Sequence, residues 1–505
     1  MSTFPSLALP QSLPRARWWQ WRNRTRVVVT LIVTMIVWGL TDVRSRGRVD
    51  PANLGVHRTD FTVYTEAGAA FFDGRDPYTV TNPRGFGYLY PPLFAMLVAP
   101  LHAIEPQDQV VVWFAISVLM AWGCFRESVR IARAVMPGEM ERGPFGRLPQ
   151  WIGWCAIAAA TMPALNCLQR GQVGILKLYL LLLGFRLLVE RPSLLRALAA
   201  GAILATPIVL KVTPAITVCC VLLGLVVANF RERRRFTLVS PATSCVTGTL
   251  LGLVICLFLL PALLVGWRSN LHHLETWTTS VAKNAERSTE GDLAGDSYSV
   301  RNQSLTNAAC RFGNWAHFCF AGGPPDKGSR PNAEGKRGLI MESPTVEVIL
   351  RTVCLLEGCL LLLAVWRVAS SGDPRNLAAI FGIGCASTLV IAPIARGHYY
   401  VLMLPAVMYV VPWLMGHGRR RLAFGMACSP PALVMGHYLF MGVAGRTGLL
   451  GLGTAVWFTA ATIAMIRSGP LTCRPSDGLT RDRLSHLPAP HAIWQSTATA
   501  RASPR

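Results

Sequence analysis

Long apolar runs recur along almost the whole chain, separated by short polar connections, and this pattern restricts the fold more than any other feature. A helix of about 20 apolar residues spans a bilayer, and runs of that length occur here many times. Hydrophobic residues make up 52% of the 505 residues and charged residues only 15%. One soluble core cannot bury that much apolar surface, so the sequence predicts an all-α polytopic membrane protein.

Twelve membrane spans fit the apolar pattern. They are predicted at residues 24–42, 108–129, 149–166, 172–189, 194–210, 213–230, 241–265, 346–366, 376–393, 399–415, 422–442 and 448–466. The first run follows a basic segment, as in a signal peptide, but no small-residue cleavage site follows it, so we predict a retained helix. Residues 91–101 are apolar but too few to cross, and we assign them to a short juxtamembrane or re-entrant helix.

The net charge of +23 indicates membrane topology and not nucleic-acid binding, because the basic residues punctuate the apolar runs instead of gathering in one soluble segment. Lys and Arg concentrate on the cytoplasmic side of membrane proteins. This rule favours cytoplasmic positions for both termini. If residues 91–101 crossed the membrane, five arginines would move outside: Arg126, Arg130, Arg133, Arg142 and Arg147.

The resulting layout has a basic cytoplasmic N-terminus (1–23), a transmembrane domain (24–466) and a disordered cytoplasmic tail (467–505) rich in Pro, Ser, Thr and Arg. Two long segments of the transmembrane domain are predicted outside the cell. The first outer loop (43–107) is where we expect catalytic residues, and the second segment is a polar insertion (267–345).

The first outer loop contains a polar stretch, residues 57–101, between apolar helices. In lipid every backbone polar group must be satisfied internally, so such a stretch lies outside the hydrocarbon or lines a cavity. Apolar residues between Asp60 and Phe72 follow helical spacing, which predicts an amphipathic helix lying on the outer leaflet. Asp60 is at the N-terminus of this helix, where capping is the simpler role and catalysis the alternative.

Three short outer connections carry polar residues that a plain connector does not need. They hold Arg170 and Gln172, then Lys211, then Arg396 and His398. All three connections are predicted on the side where Asp60 lies. Helix capping or snorkelling of a cation to the membrane surface is the alternative for each, and it is the favoured interpretation for Arg170 and Lys177.

The insertion holds Asn302 and Gln303 and two cysteines, Cys310 and Cys319. In an oxidising compartment these cysteines are candidates for a disulfide bond. The chain has no CxxC pair, and its histidines lack companions at the spacing of metal ligands. We therefore expect neither a metal site nor a cofactor.

Six stretches of the chain stand out together because of their order. They read DFTVYTEAGAAFFDGRDPY, YLYPPLFAMLVAPL, GQVGILKLYLLLL, KVTPAITVCCVLL, RNQSL and HYYVLMLPAV. In this order they resemble glycosyltransferase family 87, the polyprenyl-phosphate-sugar-dependent membrane enzymes of the GT-C superfamily. The resemblance implies a GT-C fold whose first outer loop forms juxtamembrane helices over a cavity. It also implies transfer of a hexose, mannose in the best-described members, to an envelope lipid or glycan at the outer face of a prokaryotic plasma membrane.

The resemblance also suggests site residues. The acidic residue that opens the family's first loop matches Asp60, and the histidine of its late segment matches His398, so both are predicted to be catalytic. Asp60 would take the proton of the acceptor hydroxyl, and nearby cations would stabilise the leaving phosphate without a metal. A single base and no enzyme nucleophile would invert the anomeric centre. The candidates for substrate binding are Tyr64, Asp76, Tyr88, Tyr90, Arg170, Gln172, Lys211, Asn302, Gln303 and Arg396.

Two other classes of protein remain as alternatives. One is a lipid or polysaccharide transporter or flippase, and the other is a noncatalytic subunit of a membrane assembly. Most predicted spans carry no charge near their centres, which favours an enzyme at the outer leaflet, although Glu357 is an exception. The chain departs from the family pattern at Gly174 and in the insertion after Trp267, so the acceptor stays open.

Overall fold

The computed structural model describes residues 48–472, apart from gaps at 51–52, 58, 83–86, 137–144, 146–147, 192, 234–239, 283–301, 322–343, 371–372 and 446. It also describes residues 33, 36–37, 39–41 and 45. The predicted N-terminus (1–23), most of the first span (24–42) and nearly all of the predicted tail lie outside the described residues. The described chain is almost entirely helical. Its two short strands, β1 (Val49–Asp50) and β2 (Asn53–His57), pair antiparallel before the helix that begins at Phe61.

The longer helices are numbered here in chain order. They are α1 Phe61–Phe72, α2 Pro92–Val98, α3 Pro106–Val135, α4 Gln150–Arg170, α5 Gly174–Val189, α6 Leu194–Leu210, α7 Ala215–Arg233, α8 Pro241–Val265, α9 Trp267–Thr276, α10 Leu305–Ala321, α11 Pro344–Val368, α12 Pro374–Ile391, α13 Gly397–Gly416, α14 Arg420–Leu439 and α15 Leu449–Ser468. A π-helical turn (Ile255–Leu259) lies within α8, and α13 begins with a 3₁₀ turn (Gly397–Leu402). Further short turns are 3₁₀ at Pro77–Thr79 and Ala99–Ala103 and π-helical at Trp277–Ala282 and Met441–Gly445.

Local sequence signals explain several helix ends. The Ser193 and Ser240 side chains accept hydrogen bonds from the backbone N–H groups of Arg196 and Thr243, as N-cap residues do. Helix α4 ends at Gly171, whose φ of 66° lies in the left-handed region that glycine adopts at no steric cost.

The predicted all-α polytopic fold is confirmed. Eight helices of the described chain are long and apolar enough to cross a membrane: α3, α4, α7, α8, α11, α12, α13 and α15. The other predicted spans from residue 172 onward coincide with α5, α6 and α14, which have 16, 17 and 20 residues. The total of twelve spans stays a prediction, because residues 24–42 lie mostly outside the described part.

Helix α1 forms where it was predicted, but it is more buried than an amphipathic surface helix would be. Nine of its residues are buried, including both threonines, Thr62 and Thr65. It packs against α2, α3 and the turn at Ala99–Ala103. Gly68 permits this approach, since a Cβ atom there would lie 2.4 Å from the Ala95 carbonyl oxygen. Hydrophobic spacing did not reveal this burial, because small residues such as glycine and alanine carry little hydrophobic signal.

The insertion is attached to the rest of the protein at both of its described ends. Next to α9, the Trp277 Nε1–H group donates to the Leu89 carbonyl oxygen (3.3 Å). Before α10, Asn302 pairs with Arg396 in an isolated β-bridge, and the Gln303 N–H group donates to the Ala395 carbonyl oxygen (2.6 Å). The insertion therefore contacts both the first outer loop and the connection before α13.

A disulfide bond between the candidate pair Cys310 and Cys319 does not fit the structure. Both residues lie in the single helix α10, and Cys310 is a free cysteine. Nine residues along an α-helix separate two Cα atoms by roughly 13 Å, whereas a disulfide requires a Cα separation below about 7 Å.

Close packing of α6 on α8 gives a first testable result. A Cβ atom at Gly248 would lie 2.0 Å from the Leu198 carbonyl oxygen, so we expect Gly248→Ala to lower the midpoint of thermal unfolding in detergent. Overpacking costs about 1–3 kcal/mol. The control is Gly425→Ala in α14, where a Cβ atom meets nothing within 4 Å, and alanine should stabilise the helix there. Stabilisation by both substitutions would contradict the described contact.

Candidate active site

The Asp60 carboxylate faces away from the helix that it precedes. Asp60 occupies the N-cap position of α1, yet its side chain makes no capping hydrogen bond. The carboxylate accepts hydrogen bonds from Gln172 Nε2 (2.6 Å) and Asn82 Nδ2 (3.2 Å), and Asp60 is only 7% exposed. The backbone N–H group of Asp60 donates to the Arg170 carbonyl oxygen (3.0 Å). Capping therefore does not explain this aspartate, and the end of α4 determines where its carboxylate lies.

The contact between α4 and Asp60 depends on Gly171. This residue combines a φ of 66° with a close neighbour, because a Cβ atom there would lie 2.8 Å from Phe61 Cβ. We expect Gly171→Ala to reduce both stability and turnover, since left-handed backbone costs an L-residue roughly 1–2 kcal/mol and the new methyl group displaces the start of α1. Gly74→Ala is the matched control: its φ is 71° and a Cβ atom there meets nothing within 4 Å. Gly74→Ala should lower the unfolding temperature and leave turnover intact. Equal losses of turnover in Gly74→Ala and Gly171→Ala would contradict this role of Gly171.

Two lysines flank the ring of Tyr399. Lys211 Nζ donates to the Tyr399 hydroxyl and lies 4.3 Å from the ring centroid, and Lys177 Nζ lies 4.9 Å from the same centroid. Lys177 is 4% exposed, so the snorkelling interpretation is wrong for this residue. Lys211 also donates to the Tyr90 hydroxyl (3.3 Å). Burial lowers the pKa of Lys211; Tyr90 raises it and nearby Arg396 lowers it further.

Further positive groups surround His398 at the start of α13. Its imidazole interacts electrostatically with Lys211, Arg396, Arg170 and Lys177. The His398 ring is buried and packs edge-on against Tyr399, with centroids 4.6 Å apart. The Cys167 thiol donates to the His398 carbonyl oxygen (3.4 Å). We call Arg170, Lys177, Lys211, Arg396 and His398 the basic cluster.

Gly174 explains one departure from the family pattern. A Cβ atom at this position would lie 2.6 Å from Cys167 Sγ and 3.3 Å from the His398 carbonyl oxygen. In this chain the start of α5 therefore approaches the His398 backbone too closely for a larger side chain.

The structure brings together seven of the predicted site residues at one end of the helices. Tyr64 joins them through hydroxyl contacts with Tyr90 (3.2 Å) and Gln172 (3.5 Å). The set is Asp60, Tyr64, Tyr90, Gln172, Lys211, Arg396 and His398, with Arg170 beside it. The predicted outer connections thus meet the first outer loop, and the roles of their residues stay predictions.

Four other candidates for substrate binding use their side chains within the fold. The Tyr88 hydroxyl donates to the Pro91 carbonyl oxygen (2.7 Å) and accepts from the Ala95 N–H group (3.3 Å). Asp76 is exposed and caps a 3₁₀ turn. Asn302 Oδ1 accepts from the Ala395 N–H group (3.1 Å), and Gln303 Oε1 accepts from the Gly451 N–H group (3.4 Å). These contacts indicate that Asn302 and Gln303 hold the segment that carries Arg396.

Sequence reasoning missed three residues of this site. Lys177 and Tyr399 lie within family-like stretches, GQVGILK and HYYVLML, so a charged or hydroxylated residue close in sequence to a predicted site residue was an available signal. No sequence signal pointed to Asn82. Among the described residues, no three His, Cys, Asp or Glu side chains come close enough to hold a metal ion.

These features define a polytopic membrane protein in which the buried Asp60 carboxylate and the basic cluster meet at one end of the helices. The sequence model of glycosyltransferase family 87 matches residues 88–393, more than half of the chain. The chain belongs to this family and is a membrane glycosyltransferase. The match does not extend to Asp60 or His398. Family membership decides against the transporter and assembly-subunit alternatives. Glu357, the exception among the span centres that lack charge, accepts a hydrogen bond from Thr459 Oγ1 (2.5 Å).

Two named proteins are similar to this chain. A polyprenol-phosphate-mannose-dependent alpha-(1-2)-phosphatidylinositol mannoside mannosyltransferase of Mycobacterium tuberculosis (strain ATCC 25618 / H37Rv) is 24% identical over 406 residues, which cover 75% of each chain. The crystal structure of ArnT from Cupriavidus metallidurans, bound to undecaprenyl phosphate, gives a TM-score of 0.39 at 14% identity and covers 88% of this chain and 78% of that chain.

Proposed function

We propose that this glycosyltransferase moves a hexose, with mannose the first choice, from a polyprenyl-phosphate-linked donor to an envelope lipid or glycan, without a metal. The observation that carries the proposal is one buried carboxylate, Asp60, beside a basic cluster that includes Lys177 and Lys211. A sugar phosphodiester brings negative charge to such a cluster, and an acceptor hydroxyl needs a base. The mannosyltransferase from Mycobacterium tuberculosis supports the choice of donor and sugar.

The chemistry follows from these groups. Asp60 takes the proton of the acceptor hydroxyl while the hydroxyl oxygen forms a bond to the anomeric carbon. The bond between that carbon and the phosphate oxygen breaks, and its electron pair leaves with the polyprenyl phosphate. Lys211, Lys177 and Arg396 stabilise the charge that develops on the phosphate. His398 donates a hydrogen bond to the same phosphate. One displacement of this kind inverts the anomeric centre.

The amides of Gln172 and Asn82 each donate to one oxygen of the Asp60 carboxylate. These two contacts hold the carboxylate in place.

We also propose that the site faces the outside of the plasma membrane and that both termini are cytoplasmic. In the layout proposed for the domains (1–23, 24–466 and 467–505), the loops that meet at Asp60 all fall on the outer side. Their mutual contacts, such as that between Lys211 and Tyr399, support a common side, and the distribution of Lys and Arg supports the outer one.

A transfer assay tests the function. Purified protein reconstituted in liposomes with an envelope lipid extract should form labelled product from polyprenyl-phosphate mannose, and not from a nucleotide sugar. Other polyprenyl-phosphate hexoses and a pentose serve as comparison donors and identify the preferred sugar. Equal product from the nucleotide sugar, or no product from any polyprenyl-phosphate donor, would contradict the proposal.

A further inference from the structure

A continuous series of hydrogen bonds joins the basic cluster to Asp60. Lys211 Nζ lies 3.3 Å from the Tyr90 hydroxyl, which lies 3.2 Å from the Tyr64 hydroxyl. The Tyr64 hydroxyl lies 3.5 Å from Gln172 Oε1, and Gln172 Nε2 lies 2.6 Å from Asp60 Oδ2. We call these five residues the Lys211–Asp60 chain.

The chemistry of the two ends determines the direction of every bond in this chain. A carboxylate only accepts hydrogen bonds and an ammonium group only donates them. Because Gln172 uses an N–H group toward Asp60, its carbonyl oxygen accepts from Tyr64. Tyr64 then accepts from Tyr90, and Tyr90 accepts from Lys211. Burial raises the pKa of Tyr64 well above 10, so its hydroxyl keeps the proton that it donates.

We propose that the Lys211–Asp60 chain positions the base. This proposal rests on the function proposed above for Asp60. Tyr64, Tyr90 and Gln172 are then positioning residues that act through their neighbours, and not groups that bind the sugar.

The positioning role follows from the Gln172 amide. Its N–H group donates to the Asp60 carboxylate (2.6 Å) and its carbonyl oxygen accepts from Tyr64 (3.5 Å). The two tyrosine hydroxyls therefore orient the amide that orients the base.

Phenylalanine substitutions test the chain because they remove one hydroxyl and keep the ring. In full-length protein reconstituted with labelled polyprenyl-phosphate mannose and an envelope lipid extract, Tyr64→Phe and Tyr90→Phe should each lower kcat about tenfold and change the donor KM by less than about twofold. The double variant should be no slower than either single variant, because the chain is already interrupted. Gln172→Leu interrupts the chain at a third point. Adding Tyr64→Phe to this variant should therefore lower kcat no further.

Tyr409→Phe in α13 is the matched control. Its buried hydroxyl also donates to a carbonyl oxygen, that of Ser128 (3.3 Å), but it lies outside the chain. It should leave kcat unchanged. The proposal is overturned if the losses of kcat from Tyr64→Phe and Tyr90→Phe multiply in the double variant. It is also overturned if these substitutions raise the donor KM and leave kcat unchanged. If Asp60→Asn is inactive while the phenylalanine variants have full activity, the chain fails and the proposed function stands; an active Asp60→Asn variant overturns both.

Discussion

Asp60→Asn should reduce kcat for sugar transfer by about 10²–10⁴-fold, the usual contribution of a positioned general base. Asparagine has nearly the shape of aspartate, and the Gln172 and Asn82 amides that contact Asp60 can rotate to bond with it. It cannot take a proton from the acceptor. The measurement is initial-rate transfer from labelled polyprenyl-phosphate mannose, with binding of unlabelled donor followed separately. Donor affinity should change little, since the basic cluster is intact.

The matched control for Asp60→Asn is Asp73→Asn. Asp73 lies at the opposite end of α1, is exposed and pairs with Arg75. Exposed ion pairs contribute little to stability, so this variant should keep its turnover. A folded Asp60→Asn variant that transfers sugar as fast as the wild type would show that another group accepts the proton.

Lys177→Met should have opposite effects on the free protein and on catalysis. Lys177 is 4% exposed and its ammonium group lies over the Tyr399 ring, with Lys211 as a neighbouring like charge. Burying a charge without a carboxylate partner is costly. Methionine should therefore raise the unfolding temperature of the ligand-free protein. Loss of a cation from the leaving-group site should at the same time lower kcat/KM for the donor by about 10²-fold or more.

The control for Lys177→Met is Arg420→Met, which removes a positive charge from the exposed start of α14. It should change neither quantity appreciably. Addition of undecaprenyl phosphate should raise the unfolding temperature of the wild type more than that of Lys177→Met. The opposite result would be a Lys177→Met protein that unfolds at a lower temperature than the wild type and gains as much from undecaprenyl phosphate. That result would show that Lys177 supports the fold and not the phosphate site.

The positions of the helices could be predicted because each depends on a local property of the sequence. Length and hydropathy determine whether a run can span a bilayer, so the runs from residue 108 onward coincide with helices. The meeting of Gln172, Lys211 and His398 near Asp60 was also predictable in outline, because counting spans places their connections on one side of the membrane.

Lateral packing could not be predicted in the same way. The burial of α1 depends on which helices surround it, and its sequence alone fits a surface helix equally well. Lys177 lies near the end of a predicted span, where lysines often snorkel to the membrane surface. Only the position of α13 shows that its ammonium group reaches Tyr399. The candidate disulfide between Cys310 and Cys319 came from composition, since the sequence did not show that one helix holds both cysteines.

The most direct test of a single displacement at Asp60 is the anomeric configuration of the product. Wild-type protein would be supplied with a polyprenyl-phosphate sugar of known configuration, and the new glycosidic bond would be assigned by nuclear magnetic resonance. One base acting on the acceptor, with the basic cluster holding the leaving phosphate, predicts inversion at the anomeric carbon. Retention would contradict this mechanism, because it requires a second nucleophile to form an intermediate with the sugar.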